Sequence, residues 1–452
     1  MSSTRSVRGR EWRAQAHDRQ LIGHAGIVIV TGMHPPPEFA RAGAAVVALA
    51  AIAGCIEPSR EKGPPSGVPL ATVRGAATGD AGAEPEATVE PRRSFLVLGG
   101  DVMLMDQIRE VAEERGQGDL AAGYAWFFHA LAPVIADLEG RGEVLFVVNL
   151  ESPVATERVE PVSYPPTFNG PRAALLGLKA AGVDVVTVAN NHSNDQGRAG
   201  LAETIEAARA AGLGVAGGGT GPGARAPLVV GDGVEVAILS YFMRPGGRAE
   251  PEDGPHVAIL DDRSPGEVAA AREAADAVVV TIHWVGEFAD GPPDALVDMV
   301  HALVLAGADA VVCHGPHVAL GVEVEETPDG RQALVAWSVG NLLSNMGWEV
   351  YPGTKLEPGK DSAQRIESRV EALVVLEITA DGGRRLTAAG VVPLWLMDNR
   401  YAVFRPGGGP RLIYPLPLPG CVLPDPFPCF PASKPGECDA LRDMVASSCR
   451  PW

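Results

Sequence analysis

The sequence predicts an α/β fold, on three observations. From Ser94 to about Tyr401, short runs rich in Val, Ile and Leu alternate with Ala-, Leu- and Glu-rich helical segments, which is the texture of βα units. Several of those runs stop abruptly at Asp, Glu, Asn or His, as strands do when they deliver side chains to the carboxyl edge of an open sheet. The chain is 452 residues long and 46% hydrophobic, enough for a large core and a second small unit. Its formal net charge of −19 argues against a nucleic-acid partner, which calls for a basic face, and against a polybasic hold on anionic lipid. It does not exclude an anionic substrate, because a metal ion can dominate the field around its own site.

In chain order, residues 42–54 read AGAAVVALAAIAG and run straight into Cys55. That stretch is too short for a stable membrane span and has the length of a signal-peptide apolar region. Ile52-Ala53-Gly54-Cys55 resembles the lipobox of bacterial lipoproteins, in which the cysteine is lipidated and becomes the new N-terminus. Residues 1–55 therefore read as a leader with a lipoprotein signal. The first 32 residues make an unusually long polar lead, whereas Met33 followed by Arg41 makes an ordinary n-region, so the expected start is Met33. Residues 56–93 are rich in Pro, Gly, Ala and Glu and read as a flexible tether, with a reach of roughly 30–40 Å. The α/β domain is placed at 94–405 and a Pro- and Cys-rich tail at 406–452.

Within the domain, Phe95–Leu98 leads to Gly99-Gly100-Asp101, and Val144–Val148 to Asn149-Leu150-Glu151. Val183–Val188 leads to Asn190-Asn191-His192, with Asp195 and Gly197 before a helix from about Arg198 to Ala211, closed by Gly212. Asp195 is placed to cap that helix. Ala277–Ile282 leads to His283, with Glu287 four residues on; Ala310–Val312 leads to Cys313-His314-Gly315-Pro316-His317; and Leu334–Val339 leads to Gly340-Asn341. Singly, each is an ordinary turn or cap residue. Together they are not ordinary, since four of the ten histidines, His192, His283, His314 and His317, follow strand runs. Carboxylate, amide and imidazole donors in one place suit Zn²⁺, Mn²⁺ or Fe, and do not suit Ca²⁺ or Mg²⁺ alone. Two such ions roughly 3.5–4 Å apart can clamp a phosphate and activate a water, with Asp101 or Asn191 as the bridge.

The ordered set GGDVML, NLE, ANNHSNDQG, HWVGE, HGPH and SVGN resembles the capsule-synthesis CapA family of poly-γ-glutamate capsule proteins. The domain of that family resembles the calcineurin-like metallophosphatases. The resemblance covers about Ser94 to Tyr401 and implies a four-layer α/β/β/α sandwich of two mixed sheets between helices. It implies metal ligation by Asp101, Glu151, Asn191, His283, His314 and His317, with His192 assisting the chemistry. Asp195, Glu287 and Asn341 would orient those groups. The implied cofactor is one or two divalent transition-metal ions. Three departures stand out. The metallophosphatase Asp-x-His is here Asp101-Val102-Met103, which leaves one metal position a ligand short. Gly-His-His-Pro-His is here Cys313-His314-Gly315-Pro316-His317, without the middle histidine. In His283-Trp284-Val285-Gly286-Glu287 the glycine has moved one place, but the His-to-Glu spacing is kept.

The expected function is therefore a CapA-like capsule biosynthesis protein with a hydrolase-type metal site, exported and lipid-anchored at a bacterial cell envelope. Its partners would be an anionic polymer or phosphorylated substrate, the membrane, and capsule-synthesis membrane proteins. The alternative is a capsule assembly or export factor that binds the polymer without chemistry. Cys421, Cys429, Cys438 and Cys449 crowd the tail without a CxxC spacing, which favours two disulfides over zinc and leaves three pairings open. Disulfides imply an oxidising compartment. Cys313 reads as a buried apolar cysteine, and His301 as a helix residue. Tyr164–Pro171 (YPPTFNGP) reads either as a pocket wall or as a plain surface loop.

Overall fold

The structure is a computed structural model that describes residues 28–29, 92–156, 167–245, 253–349, 367–380, 384–399 and 411–418. Most of the leader, including Met33 and Cys55, lies outside the described residues. So do the linker up to Pro91, the tail cysteines Cys421, Cys429, Cys438 and Cys449, and Tyr164 to Pro166 of the YPPTFNGP stretch. Among the described residues no helix is long and apolar enough to cross a membrane.

The described chain is a mixed α/β fold with two large sheets. Strands are numbered along the chain. The parallel centre of the first sheet is β2 (Arg92–Val102), β3 (Glu143–Leu150), β4 (Val185–Thr187) and β5 (Gly214–Ala216). On the other side of β2, β15 (Val370–Ala380) and β16 (Arg384–Asp398) run antiparallel. β1 (Val28–Ile29), β14 (Asn341–Leu343) and β17 (Ile413–Pro417) complete this sheet. In the second sheet, β13 (Gln332–Ala336), β11 (Ala310–His314), β10 (Ala277–Trp284) and β8 (Val236–Met243) are parallel. Antiparallel β12 (Val322–Glu326) and β7 (Leu228–Val230) close its two edges. A separate pair is formed by β6 (Gly218–Thr220) and β9 (Pro255–Val257).

Period-2 alternation sorts each strand between two cores. Leu96, Leu98 and Val147 of the first sheet meet Ile238, Val279 and Val312 of the second in one apolar layer. Phe95, Val97 and Phe146 point the other way, against α1 (Asp106–Gly116), α2 (Leu120–Trp126), α3 (Ala132–Glu139), α4 (Arg172–Ala180) and α5 (Gly197–Ala210), through Ile108, Tyr124, Leu138, Leu175 and Leu201. Leu239, Val280 and Val311 pack on Val268 of α6 (Ser264–Ala274) and on Val300 and Leu303 of α7 (Asp294–Ala306). Both central strand sets are buried on two faces, which explains why they read as continuous apolar runs.

The strand runs therefore fall where the sequence places them, with two instructive differences. β2 does not stop at Leu98 but continues through Gly99-Gly100-Asp101, because β14 pairs with it there in parallel, Asn341 opposite Asp101. Gly100 permits that approach, since a Cβ on it would lie 2.1 Å from the carbonyl oxygen of Gly340. The second difference is at α5, which starts at Gly197 after Gln196 with no side-chain cap. The cap expected from Asp195 is not made, because its carboxylate is engaged elsewhere. Cys313 is fully buried on β11, and burial pushes its thiol pKa up. His301 lies on α7, where its Nδ1 meets the Glu325 carboxylate.

Candidate metal centre

The carboxyl ends of the parallel strands from both sheets converge on one buried cluster. Asp101 comes from the end of β2, and Glu151 from the residue after β3, where its amide bonds the Val102 carbonyl at 3.0 Å. His283 lies on β10 and His314 on β11, and the two are adjacent in register. His317 follows in the turn, with a φ of 58°, a left-handed conformation that costs a non-glycine residue free energy and is typical of sites that demand a particular side-chain direction.

Asp101 and Glu151 are both 0% exposed. His317 Nδ1 lies 3.3 Å from Asp101 Oδ2 and 3.9 Å from Glu151 Oε2, and His314 Nδ1 lies 3.5 Å from Asp101 Oδ1. His283 Nε2 lies 3.5 Å from Glu151 Oε1, and His192 Nε2 lies 3.9 Å from the same oxygen. Asp101, Glu151 and His317 each offer a ligand atom, and those atoms all lie within 4.8 Å of one another. Asp101 Oδ2, both Glu151 oxygens and His314 Nδ1 are buried without a hydrogen-bond partner. Leaving such groups unpaired is costly, and a cation held by Asp101, Glu151 and His317 would give their orphaned carboxylate oxygens a partner. The donor set thus fits a metal ion.

The charges of the cluster are interdependent. Burial raises the Asp101 carboxyl, but the close approach of His317 at 3.3 Å and the charges of His283, His314 and His317 outweigh it and hold Asp101 well below the usual carboxylate range. Burial, followed by the Asp101 charge, pushes Glu151 well above that range. Burial drives His283 down to about 3 and lowers His314. His317 is different: burial opposes its charge, but Glu151, Asp101 and Asn341 together lift it to about 9. Without a metal, a protonated His317 is the cation of the cluster.

Around these groups is a polar scaffold. Asn341 Oδ1 accepts from His317 Nδ1 at 3.0 Å, and its Nδ2 donates to the His317 carbonyl at 3.3 Å. His192 Nδ1 lies 2.8 Å from Asp195 Oδ2, which turns Nε2 toward Glu151. Asn149 is the hub. Its Nδ2 donates to Asp101 Oδ1 at 2.8 Å and lies 3.3 Å from His283 Nδ1, while its Oδ1 accepts from Thr187 and Asn190. Sequence reasoning placed Asn149 at a strand end without giving it a role.

Two expected site residues differ in burial from the rest of the cluster. Asn191 is exposed. The buried amide is Asn190, which donates to Asn149 and to the Leu150 carbonyl and accepts from the His192 amide. In an Asn-Asn turn only one side chain points inward, and the turn after β4 selects the first. Glu287 is also exposed, on the loop after β10. Met103, where the metallophosphatase pattern has histidine, is 1% exposed and packs with Phe168 and Met346 in a small apolar cluster.

Carboxylates and imidazoles buried together where two facing sheets end form a candidate metal site of the metallophosphatase-like kind. Residues 95–346 match the family described as bacterial capsule synthesis protein PGA_cap, and the chain belongs to that family, within the metallophosphatase-like superfamily. It is 26% identical over 271 residues to a capsule biosynthesis protein CapA of Bacillus anthracis, covering 57% of this chain and 62% of the relative. It is also 26% identical over 256 residues to a PGA biosynthesis protein CapA of Bacillus subtilis, covering 55% and 63%. A probable polyglutamine synthesis accessory protein of Mycobacterium tuberculosis matches at 26% over 267 residues, covering 51% and 70%. The chain thus spans a little under two thirds of the length of the Bacillus relatives it matches.

Proposed function

We propose that this protein is a metal-dependent hydrolase serving capsule production at a bacterial cell envelope, acting on a phosphoester or on the amide bonds of an anionic polymer such as poly-γ-glutamate. The observation that carries this reading is the buried, unpartnered donor set of Asp101, Glu151 and His314 next to His317. Asp101, Glu151 and His317 would hold one ion, and His283 and His314 would complete its surroundings. When bound, the ion supplies Lewis-acid polarisation and an acidified water. His192, oriented by Asp195, donates the proton that the leaving group needs. The relatives' roles in capsule and PGA biosynthesis, as their names give them, motivate the substrate class. The lipobox-like sequence at Cys55 and the four tail cysteines motivate an exported, lipid-anchored protein with two disulfides, working beside capsule-synthesis membrane proteins.

Metal content of protein purified without chelator is the first test. Stoichiometric Mn, Zn or Fe is expected, and it is lost in Asp101→Ala and His283→Ala. Turnover of phosphoesters or poly-γ-glutamate should fall by about 10²–10⁴ in His192→Ala, the usual worth of a positioned acid. Metal-loaded wild type without turnover, holding polymer as tightly as His192→Ala does, would instead establish a polymer-binding assembly factor. Met103 favours that second reading, because an apolar side chain occupies the place of a metallophosphatase ligand.

A further inference from the structure

The Phe168-Asn169-Gly170 stretch, inside the loop that sequence reading left between pocket wall and plain surface, touches all three segments that the first sheet sends into the site. The Phe168 amide donates to Asp195 Oδ2 at 2.7 Å, the same oxygen that lies 2.8 Å from His192 Nδ1. The Phe168 ring lies over the His192 imidazole, with centroids 4.4 Å apart and planes tilted by 44°. Its carbonyl accepts from Gln196 Nε2 at 2.8 Å, which closes the clasp on the His192–Gln196 turn. Asn169 holds the chain just beyond Glu151 at two points: its Oδ1 accepts from the Ala155 amide at 2.8 Å and its Nδ2 donates to the Ala155 carbonyl at 3.1 Å. The Gly170 amide donates to the Pro153 carbonyl at 2.8 Å. A Cβ on Gly170 would lie 2.2 Å from Leu104 Cδ1, on the segment that leaves Asp101.

We infer that Phe168 is a positioning residue for His192, fixing both the tautomer and the direction of the imidazole. The inference rests on the proposed role of His192 as proton donor. Asp195 Oδ2 accepts from the Phe168 amide and from His192 Nδ1–H, so Nδ1 keeps its proton throughout and the proton that His192 donates is carried on Nε2, which faces Glu151 at 3.9 Å. The aromatic face closes the side toward which the ring would otherwise turn. Phe168 is 8% exposed and is itself backed by Met103 and Met346, so its position is set by packing.

The test is nitrogen NMR of ring-labelled histidine in the full chain, with the His192 signals assigned through His192→Gln. Wild type should show a single Nδ1–H tautomer. Phe168→Leu should convert it to averaged nitrogen shifts, with circular dichroism and metal content unchanged, and Phe168→Tyr should restore the wild-type pattern. If Phe168→Leu does not fold, Phe168→Met gives the same reading. A wild-type His192 signature in the aliphatic variant, or the same loss in Phe168→Tyr, overturns the inference. Wild-type turnover in His192→Ala removes the proton-donor role instead, so the two failures are distinguishable.

Discussion

At the residue scale, the cluster stores protons where a metal would sit. His317, lifted to about 9, is protonated at neutral pH, and Glu151 is pushed upward in the same direction. Ligands must shed their protons to bind a cation, so metal affinity should rise with pH by about one to two log units per pH unit near neutrality. Calorimetric titration in buffers of different ionisation enthalpy counts the protons released, and a count of zero would refute this charge assignment. Glu371 is a buried acid outside the cluster, on β15 beyond the matched span. It is 0% exposed, neither carboxylate oxygen has a hydrogen-bond partner, and burial followed by the Asp101 charge drives its pKa well above the ordinary value. The folded state therefore keeps a proton that the unfolded chain sheds above about pH 4.5. Its contribution is at its best below that pH and is lost as pH rises toward the folded value. Glu371→Gln should remove that loss and stabilise the metal-free protein by about 1–3 kcal/mol at pH 8, with little gain at pH 4. Urea midpoints at the two pH values decide it, and an equal effect at both would count against it. Asp101, Glu151, His283 and His314 were legible because each interrupts or ends an apolar run, and His317 because it stands three residues beyond His314. Asn149, Asn190 and Glu371 were not, since their roles depend on which side of a turn or sheet faces inward.

At the level of elements, the site depends on a close approach between two strands that the sequence does not pair. β14 lies beside the end of β2, the Asp101 amide donates to the Gly340 carbonyl at 3.1 Å, and Asn341 is thereby brought to His317. Apolar periodicity marked the strand before Gly340 but not the three-residue strand after it, which carries only Asn-Leu-Leu and is defined by its partner. Gly100→Ala places a methyl group 2.1 Å from the Gly340 oxygen. The backbone must separate there, which should cost about 2–3 kcal/mol, toward the upper end for overpacking, and weaken metal binding as Asn341 withdraws from His317. Denaturant unfolding and metal titration of this one variant test both parts, and wild-type values in the two would show that the approach is not required. The helix after β4 shows the opposite relation. Its existence was legible from composition, but its start was misjudged because Asp195 serves His192 and Phe168 rather than the helix end.

Across the whole molecule, the two sheets meet through an apolar layer along their length and through polar chemistry at one edge. The first sheet supplies Asp101, Glu151 and His192, and the second supplies His283, His314 and His317. A metal bound among them would link the sheets where their apolar contact gives out. Ligand binding to the native state alone stabilises it by RT ln(1 + [L]/Kd), about 2.7 kcal/mol at a hundredfold excess over Kd. Because the donors come from both sheets, that protection should appear in both. Hydrogen exchange should slow at the carboxyl ends of β2 and β3 and equally at those of β10 and β11 when Mn²⁺ or Zn²⁺ is added. His283→Ala, which removes a donor from the second sheet alone, should abolish the effect in the first sheet as well. Protection confined to one sheet, or surviving in the first sheet of the variant, would mean that the ion is held by half the cluster, and the two sheets would then be joined by their apolar layer alone.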